Sequence, residues 1–418
     1  MKNSKHGMTR RRFLQGSAAG AAAFSIVPRN VLGGSGQTAP SDSLGGALIG
    51  SGGRGPGTFG CLGPNVECLA CCDADLNRAE SKAKGWAAQK GWKRCEAYQD
   101  FRLVLERKDI DVVAVATHPG WHALISIAAM EAGKDVVCEK PMCRFIAEGR
   151  AVADAEKRFG RVFQIERKGG YNPNKTRKIF ESGLLKNCDS VLVKKGGFKV
   201  KQWSGMVKHE VTGVPENLDW DMYCGPAPVR PYQRHRFGGT HRGYWDYEGG
   251  GLSDMAHHHL HGLTYQYGRD LTAPVEITPH APIGHPECCG IWGWCEMKYA
   301  DGFTLVLESD EWGEPYHQKP RNLGEGDLLN MLSEEDQKKL DEMPDPERLP
   351  YFDEAIRKRC PTASNAERSQ RVATIYHLAN VAFRCGRPLK FDPDTEQIVG
   401  DDEANRLVNQ PMRAPWRL

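Results

Sequence analysis

The chain has 418 residues, of which 40% are hydrophobic and 26% are charged. These proportions are typical of a folded globular protein, and they exclude a wholly disordered chain, a collagen and a multi-span membrane protein. The length predicts two or three domains. The formal net charge is +3, but residues 1–40 contain no acidic residue. The rest of the chain has 50 basic against 53 acidic residues, which is unlike a nucleic-acid-binding surface.

The first 40 residues have the pattern of an export signal. Three arginines, Arg10 to Arg12, precede Phe13, Leu14 and an Ala- and Gly-rich apolar stretch that ends at Pro28. An apolar stretch of about 15 residues is shorter than the roughly 20 that a stable membrane span needs. The pattern predicts a twin-arginine signal and export to the periplasm. A buried or amphipathic N-terminal helix is the alternative.

The sequence contains 14 cysteines, which raises the question of disulfides in an exported chain. Cys71, Cys72 and Cys138 lie in apolar, strand-like stretches, where a thiol behaves as a small hydrophobic side chain. We therefore expect most of the cysteines to be buried thiols. One surface disulfide remains an open alternative.

From residue 45 onward, short apolar strands alternate with helices. Strands are predicted at 45–50, 67–72, 111–116, 135–138 and 162–165, and helices at 77–90, 101–107, 122–132 and 146–159. This alternation indicates a parallel sheet with crossover helices. In the second half, strands are predicted at 191–199, 276–279, 290–299 and 302–309, with the last two as a hairpin, and helices at 252–265, 334–343 and 366–384. We expect the charged segment 313–350 to be an irregular insertion.

A Gly-rich turn follows the first predicted strand. Gly50, Gly52 and Gly55 form a G-x-G-x-x-G pattern, in which bare backbone can approach a pyrophosphate at a helix N-terminus. Asp73 ends the next strand, where a carboxylate binds ribose hydroxyls and repels a 2′-phosphate. The pattern predicts NAD in preference to NADP; a structural Gly-rich turn is the alternative. The predicted cofactor contacts are Gly50, Ser51, Gly52, Gly53, Arg54, Gly55 and Asp73.

Three further motifs occur in a fixed order. Thr117-His118-Pro119-Gly120-Trp121-His122 follows the strand at 111–116, and Glu139-Lys140-Pro141 follows the strand at 135–138. Gly249-Gly250-x-x-x-Asp254-x-x-x-His258 lies in the second half. Together with the Gly-rich turn, these motifs resemble the Gfo/Idh/MocA oxidoreductases, the family of glucose–fructose oxidoreductase and inositol dehydrogenase. The resemblance extends over 45–418.

The resemblance implies two domains after the signal. An α/β Rossmann domain is expected over 41–168. An α+β domain with a large open, mainly antiparallel sheet and a C-terminal helix is expected over 169–418, with substrate bound between the two. The resemblance also implies tightly bound NAD, a carbohydrate substrate and a homodimer or homotetramer. It adds further cofactor contacts at Thr117, Trp121, His122, Glu139, Lys140 and Arg167.

The resemblance also implies catalytic roles. Oxidation of a secondary alcohol requires a hydride acceptor, a base and a cation near the developing alkoxide. By the family pattern, Lys140 supplies positive charge beside the nicotinamide, His258 is the general acid/base and Asp254 is an orienting carboxylate. Residues four apart lie on one face of a helix, which supports the pairing of Asp254 with His258. A solvated surface lysine and a packed core histidine are the alternatives.

Polar and aromatic residues precede the Gly-Gly motif. Aromatic faces combined with charged groups suit a sugar, whereas packing between domains is the alternative reading. This group predicts substrate contacts at Arg236, Tyr244 and Trp245, and the family resemblance implies a further one at Tyr171, after the strand at 162–165. His257 and His261 have a spacing that could chelate zinc. No carboxylate-rich segment accompanies them, so we predict no metal site.

The motifs together predict an exported NAD-dependent oxidoreductase that acts on CH–OH groups of a sugar, polyol or sugar derivative. One alternative is an NAD-dependent glycoside hydrolase, which oxidises C3 transiently, eliminates the aglycone and then reduces the sugar again. Such an enzyme regenerates its cofactor in every turnover, which suits an exported protein. A second alternative is a non-catalytic sugar-binding protein.

Overall fold

The computed structural model describes residues 43–92, 94–166, 171–186, 188–208, 210–321 and 323–418. The predicted export signal lies outside these residues. Residues 45–64 and 68–418 belong to one large compact unit, and the described residues 43, 44 and 65–67 belong to a second, small unit. Both β-sheets lie almost entirely in the large unit. Among the described residues, no helix is both long enough and apolar enough to cross a membrane.

The first half of the chain forms a six-stranded sheet with the order β3-β2-β1-β4-β5-β6. Its strands are β1 Leu44–Ile49, β2 Val66–Cys72, β3 Glu96–Tyr98, β4 Val112–Val115, β5 Asp135–Cys138 and β6 Phe163–Ile165. The central strands are buried on both faces and are almost wholly apolar, as parallel strands covered by helices must be. Strands β1 and β4 pair in parallel with Ile49 opposite Val115. The order of the strands reverses at this pair, which is where open α/β sheets bind ligands.

The helices of this half are α1 Gly55–Gly60, α2 Leu76–Lys90, α3 Phe101–Leu105, α4 Pro119–Glu131 and α5 Ile146–Phe159. Helix α4 begins three residues before its predicted start. Pro119 is suited to a first turn, and the His118 side chain caps the helix by accepting a hydrogen bond from the Gly120 amide. Strand β3 was not predicted, because three residues carry no periodic pattern.

The second half contains a mixed six-stranded sheet with the order β12-β11-β8-β9-β10-β7. The strands are β7 Leu192–Lys195, β8 Glu276–His280, β9 Trp294–Lys298, β10 Thr304–Glu308, β11 Leu389–Asp392 and β12 Gln397–Ile398. Among the described strands of this sheet, only β7 and β10 pair in parallel, and the other pairings are antiparallel. A Rossmann-type parallel sheet followed by a mixed, mainly antiparallel sheet confirms the predicted fold class, and β9 and β10 form the predicted hairpin.

The remaining helices are α6 Lys175–Glu181, α7 Trp220–Cys224, α8 Gly250–Gln266, α9 Glu325–Asn330, α10 Glu334–Glu342, α11 Phe352–Lys358, α12 Ala366–Cys385 and α13 Asp402–Val408. Helices α6, α7, α9, α11 and α13 were not predicted, and neither were strands β11 and β12. Each of these helices has at most seven residues, about two turns, which is too short to reveal a period. Helix α12 packs against α5, α8 and β8, and thereby joins the two halves.

Gly55 is fixed by a close approach between α1 and the turn that follows β1. A Cβ atom at this position would lie 2.4 Å from the Gly50 carbonyl oxygen. We expect Gly55→Ala to lower the free energy of unfolding by about 1–3 kcal/mol, because the chain must shift to relieve this clash. Urea denaturation followed by circular dichroism measures the change.

Gly57 in the same helix provides a matched control. A Cβ atom there would meet no atom within 4 Å, and alanine is the better helix former. Gly57→Ala should therefore stabilise the protein by about 0.5–1 kcal/mol. If both substitutions shifted the midpoint in the same direction, close packing would not be the constraint at Gly55.

Candidate active site

A cleft of about 920 Å³ opens at the carboxyl ends of the parallel strands. The Gly50–Arg54 turn after β1, Asp73 after β2, Thr117 after β4 and Lys140 after β5 form one wall. The facing wall comes from the second half of the chain. It consists of Met222, Tyr223, Gly238, Gly239, His241, Arg242 and Glu248. The volume is appropriate for a small-molecule or cofactor site.

The Gly-rich turn has the geometry that a dinucleotide requires. Gly50 has φ +96°, and a Cβ atom there would lie 2.3 Å from the carbonyl carbon of Ala116, so only glycine allows this tight turn. Gly52 and Gly53 have no atom within 4 Å of a Cβ position, which leaves bare backbone facing the cleft. Together with the close packing at Gly55, these are the three roles of glycine in a dinucleotide-binding fingerprint. The residues present therefore fit a nicotinamide dinucleotide.

Asp73 lies at the far end of the same wall. Its carboxylate accepts hydrogen bonds from the backbone amides of Ser51, at 2.9 Å, and Asp75, at 3.0 Å. Burial raises the pKa of Asp73, and these two hydrogen bonds together with the charge of Arg78 oppose the rise. The carboxylate is thus held beside the Gly-rich turn, where the adenosine ribose of a dinucleotide lies.

Lys140, which lines the cleft, forms a buried ion pair with Asp254. The Lys140 Nζ atom lies 2.5 Å from Asp254 Oδ1 and 2.9 Å from the Asp254 carbonyl oxygen, and each side chain is 7% exposed. Arg242 Nε donates to the same Oδ1 atom at 2.8 Å. Burial alone would raise the pKa of Asp254, but the two cations lower it below its ordinary value. Asp254 is therefore ionised, and it holds the ammonium group in place.

His258 lies one turn further along α8 and contacts a second charged group. Its Nδ1 atom is 3.7 Å from Glu166 Oε2, and its side chain is 30% exposed. The other Glu166 oxygen accepts from Arg54 at 2.5 Å, and Arg54 also donates to Glu139 at 3.2 Å. The structure thus brings Lys140, Asp254 and His258 into one region. His258 is not among the described residues that line the cleft.

Three polar residues of the cleft were not selected as site residues from the sequence. His118, in the loop after β4, donates from Nε2 to the Tyr223 carbonyl oxygen at 2.6 Å, and burial keeps the pKa of this imidazole well below its usual value. On the facing wall, His241 Nε2 lies 3.1 Å from Glu248 Oε2. The guanidinium of Arg242 stacks on Trp203 at 4.7 Å. The available signal for His118 was the motif that begins at Thr117, and for His241 and Arg242 it was the polar and aromatic segment just before Gly249.

Three of the predicted substrate residues are directed elsewhere, which corrects the prediction. Arg236 forms ion pairs with Asp246 and Glu287 and lies over the ring of Tyr244, which is fully buried. Trp245 donates its indole N–H to the His285 carbonyl oxygen at 3.0 Å. None of these three lines the described cleft, and packing, the alternative interpretation, describes them better.

The remaining predicted contacts divide into two groups. Tyr171 is held by His261, whose Nδ1 atom lies 2.7 Å from the hydroxyl oxygen, and it stacks on Tyr265 outside the cleft lining. His122 is buried, with its ring nitrogens 2.6 Å from the Pro141 carbonyl oxygen and 3.1 Å from that of Thr117, so it positions the loop that carries Lys140. Arg167 lies outside the described residues. The predicted contacts that do line the cleft are Gly50, Ser51, Gly52, Gly53, Arg54, Asp73, Thr117, Trp121, Glu139 and Lys140.

The described residues contain one group of side chains close enough together to hold a metal ion, and it does not include the two histidines considered in the sequence analysis. Within the part of the chain that the structure describes, His257 and His261 belong to no group of metal-ligating atoms, whereas Cys68, Cys71 and Cys95 form one. Cys68 and Cys71 have C-x-x-C spacing, a signal that our prediction of no metal site overlooked. Most of the cysteines are buried, as predicted.

Two family models cover nearly all of the described chain. Residues 47–167 match the NAD-binding Rossmann fold of the Gfo/Idh/MocA oxidoreductase family, and residues 170–418 match its C-terminal alpha/beta domain. The chain therefore belongs to the Gfo/Idh/MocA oxidoreductase family.

Curated relatives are similar over parts of the chain. Inositol 2-dehydrogenase of Salmonella typhimurium is 31% identical over 123 residues, which are 29% of this chain and 35% of the relative. D-glucoside 3-dehydrogenase of Escherichia coli is 25% identical over 247 residues, or 58% of this chain and 59% of the relative. A glycosyl hydrolase family 109 protein of Shewanella baltica is 31% identical over 175 residues, or 37% and 38%. The chain spans about a third of the length of the first curated relatives it matches.

Two solved structures have a similar fold. One is the WlbA dehydrogenase of Bordetella pertussis in complex with NADH and UDP-GlcNAcA, with a TM-score of 0.53 and 14% identity over 84% of this chain and 99% of that one. The other is the aldose-aldose oxidoreductase of Caulobacter crescentus complexed with glycerol, with a TM-score of 0.50 and 17% identity over 84% and 100%. At these identities the likeness establishes the fold alone.

Removal of the carboxylate from the ion pair should destabilise the protein more than removal of the lysine. Asp254→Ala leaves the buried Lys140 without its counter-charge and Arg242 with only Glu248, whose Oε2 atom lies 4.0 Å from Nε, so we expect a loss of about 3–5 kcal/mol. Lys140→Ala leaves Asp254 paired with Arg242 and should cost less than half as much. Denaturant midpoints compare the two variants, and equal losses would contradict the shared-carboxylate arrangement.

The contribution of the ion pair to stability should depend on pH. Because the pKa of Asp254 is lowered, wild type should keep this contribution at neutral pH and lose it in acid below the ordinary carboxylate range.

Proposed function

We propose that this protein is an NAD-dependent dehydrogenase that transfers hydride between the nicotinamide cofactor and a hydroxyl-bearing carbon of a sugar, polyol or sugar derivative. The observation that carries the proposal is the buried Lys140–Asp254 pair, whose lysine lines the same cleft as the Gly-rich turn and Asp73. When bound, the cofactor supplies the hydride acceptor for alcohol oxidation.

We assign Lys140 the role of binding the substrate hydroxyl and stabilising the charge that develops on its oxygen. An ammonium group has three N–H donors, and two of those of Lys140 are directed to Asp254, at Oδ1 and at the backbone carbonyl oxygen. The third remains for a substrate hydroxyl. A fixed positive charge at that point stabilises the negative charge that develops on the oxygen as hydride leaves the carbon.

We assign His258 the role of general acid/base. It accepts the hydroxyl proton during oxidation and returns it during reduction, and the Glu166 carboxylate beside its Nδ1 atom orients the ring. His241 and Arg242 belong to the opposite wall of the cleft and are fixed by Glu248 and Asp254. We assign these two side chains the role of hydrogen-bonding the other hydroxyls of the substrate.

Replacement of Lys140 tests this assignment. Lys140→Met should reduce kcat by about 10²–10⁴-fold, because the charge at the developing alkoxide is lost. The loss of NAD binding should be much smaller, because the Gly-rich turn and Asp73 are unchanged. NADH formation is followed with myo-inositol, levoglucosan and D-glucosides. Lys338→Met, at an exposed position of α10, serves as the control; if it and Lys140→Met retained equal turnover, the mechanism would be wrong.

The cofactor preference is assigned to Asp73. Its carboxylate repels a 2′-phosphate, while Arg78 also lines this end of the cleft. Asp73→Ser should lower the preference for NAD over NADP at least about tenfold, which is about 1.4 kcal/mol. The ratio of the kcat/KM values for the two cofactors measures the change. Asp109→Ser, which removes an exposed carboxylate outside the cleft, should leave the ratio unaltered, and a similar ratio in both variants would contradict the assignment.

A second candidate function is NAD-dependent glycoside hydrolysis. The similarity to the glycosyl hydrolase family 109 protein favours it, and it uses the same Lys140 and His258 in a cycle that consumes no cofactor. Aglycone release from chromogenic glycosides without net NADH formation would select this function over the first.

We further propose that the protein carries tightly bound NAD and is exported through the twin-arginine route. Arg10 and Arg11 ahead of a short apolar stretch support this proposal. The twin-arginine route transports proteins that are already folded, so the cofactor can bind before export. Replacement of Arg10 and Arg11 by lysine should retain the protein in the cytoplasm. A homodimer or homotetramer stays a prediction.

A further inference from the structure

Three cysteine sulfurs converge at the edge of the first sheet, outside the lining of the cleft. Cys68 and Cys71 belong to β2, and Cys95 immediately precedes β3, which pairs with β2 so that Cys71 lies opposite Ala97. The Sγ atoms are 3.9 Å apart between Cys68 and Cys71, 3.6 Å between Cys71 and Cys95, and 3.7 Å between Cys68 and Cys95. The proposed dehydrogenase reaction uses none of these residues.

The triangle has the dimensions of a metal-thiolate site. A point in its plane that is equidistant from the three sulfurs lies about 2.2 Å from each, close to the zinc–sulfur distance of about 2.3 Å. A tetrahedral ion would lie slightly above this plane and keep one position open. A trigonal ion would lie nearly within it. Both geometries fit without movement of the backbone.

The chemistry of the donors selects the class of ion. Within the described part of the chain, no His, Asp or Glu side chain joins the three sulfurs. A set of thiolates alone favours soft, thiophilic ions such as zinc(II) and copper(I), and it disfavours magnesium and calcium, which require oxygen ligands. Cys68 and Cys71 are buried, whereas Cys95 is partly exposed and provides a path for entry.

Two cationic side chains act on the cluster. The charge of Arg107 acts on Cys95, and the charge of Lys82 acts on Cys71. These two cations offset the excess negative charge that three thiolates leave on a monovalent or divalent ion.

We propose that Cys68, Cys71 and Cys95 form a binding site for a thiophilic d10 cation, zinc(II) or copper(I), with three thiolate ligands and one open position on the side of Cys95. Each thiol that binds the ion releases its proton to solvent, and no electrons are exchanged. The ion connects β2 to β3. Its role is therefore to stabilise the edge of the sheet whose strand β2 ends next to Asp73.

Metal titration of the full-length chain tests the site. The protein is reduced, freed of metal with a chelator and kept anaerobic. One arm titrates zinc(II) and another titrates copper(I), each against a chromophoric competitor. We expect one ion per chain in at least one arm, and the tighter arm identifies the ion. Cys95→Ser should weaken that binding at least 100-fold, whereas Cys360→Ser, a partly exposed cysteine outside the cluster, should bind as wild type does.

Cobalt(II) gives a signature that a purely structural role of the cysteines would not produce. Thiolate-to-cobalt charge-transfer bands should appear in wild type and in Cys360→Ser, and they should be lost in Cys95→Ser. NAD binding measured in parallel establishes that Cys95→Ser is folded. It also separates this site from the dehydrogenase proposal, because either can fail while the other holds.

A measurement on wild type keeps the proposal falsifiable if Cys95→Ser does not fold. Alkylation of the native protein followed by mass spectrometry should show Cys95 protected in the presence of the ion and labelled in its absence, with Cys360 labelled in both. The thermal midpoint should rise by several degrees when the ion binds. Equal labelling of Cys95 with and without metal, or metal binding in Cys95→Ser that matches wild type, would overturn the proposal.

Discussion

The contact on which the site depends is the buried ion pair between Lys140 and Asp254. It connects the end of β5 in the first sheet to the first turns of α8 in the second half of the chain. Burial of two charges is costly, and well-packed apolar residues in their place are often as stable or more stable. The pair is therefore better explained by what it positions than by what it stabilises. It fixes an ammonium group in a cleft that the Gly-rich turn and Asp73 have already prepared for a dinucleotide, which is the arrangement that hydride transfer from an alcohol requires.

Because Asp254 holds the ammonium group of Lys140, the position of that group depends on helix α8, which carries Asp254. Helix α12 supplies the frame by packing against both α5 and α8. Gln370 of α12 donates to the Ile146 carbonyl oxygen at the start of α5, and Arg150 of α5 forms ion pairs with Glu367 and Glu396. These links cross between the halves, so the relative position of β5 and α8 is set by many contacts remote from the cleft. Substitutions in α12 thus act on the site through geometry, without touching substrate or cofactor.

Short-range patterns predicted much of this architecture. The Gly-rich turn, Asp73, Lys140 and the Asp254/His258 spacing are all local in sequence. The first three line one cleft, and Asp254 pairs with Lys140. The predicted site differs from the structure where long-range contacts determine which side chains meet. Arg236 and Arg242 are six residues apart in one polar segment, and sequence offers no basis for choosing between them. Ion pairs with Asp246 and Glu287 direct Arg236 away from the cleft, whereas Asp254 draws Arg242 towards it. Cys95 is 24 residues from Cys71, and their meeting depends on the pairing of β2 with β3, which no periodic pattern indicates.

The two walls of the cleft differ in what they determine. The first wall consists of backbone, glycines and the ends of strands, and its geometry suits a cofactor. The second wall presents side chains that buried partners hold in fixed orientations: His241 by Glu248 and Arg242 by Asp254. A ligand that lacks a matching hydroxyl would leave such groups unpaired in a partly desolvated site, and that loss discriminates more strongly than a missing apolar contact. Substrate selection in the proposed reaction therefore belongs to residues 238–248. Because this segment also supplies the second cation to Asp254, a change in substrate preference there also alters the charge that positions Lys140.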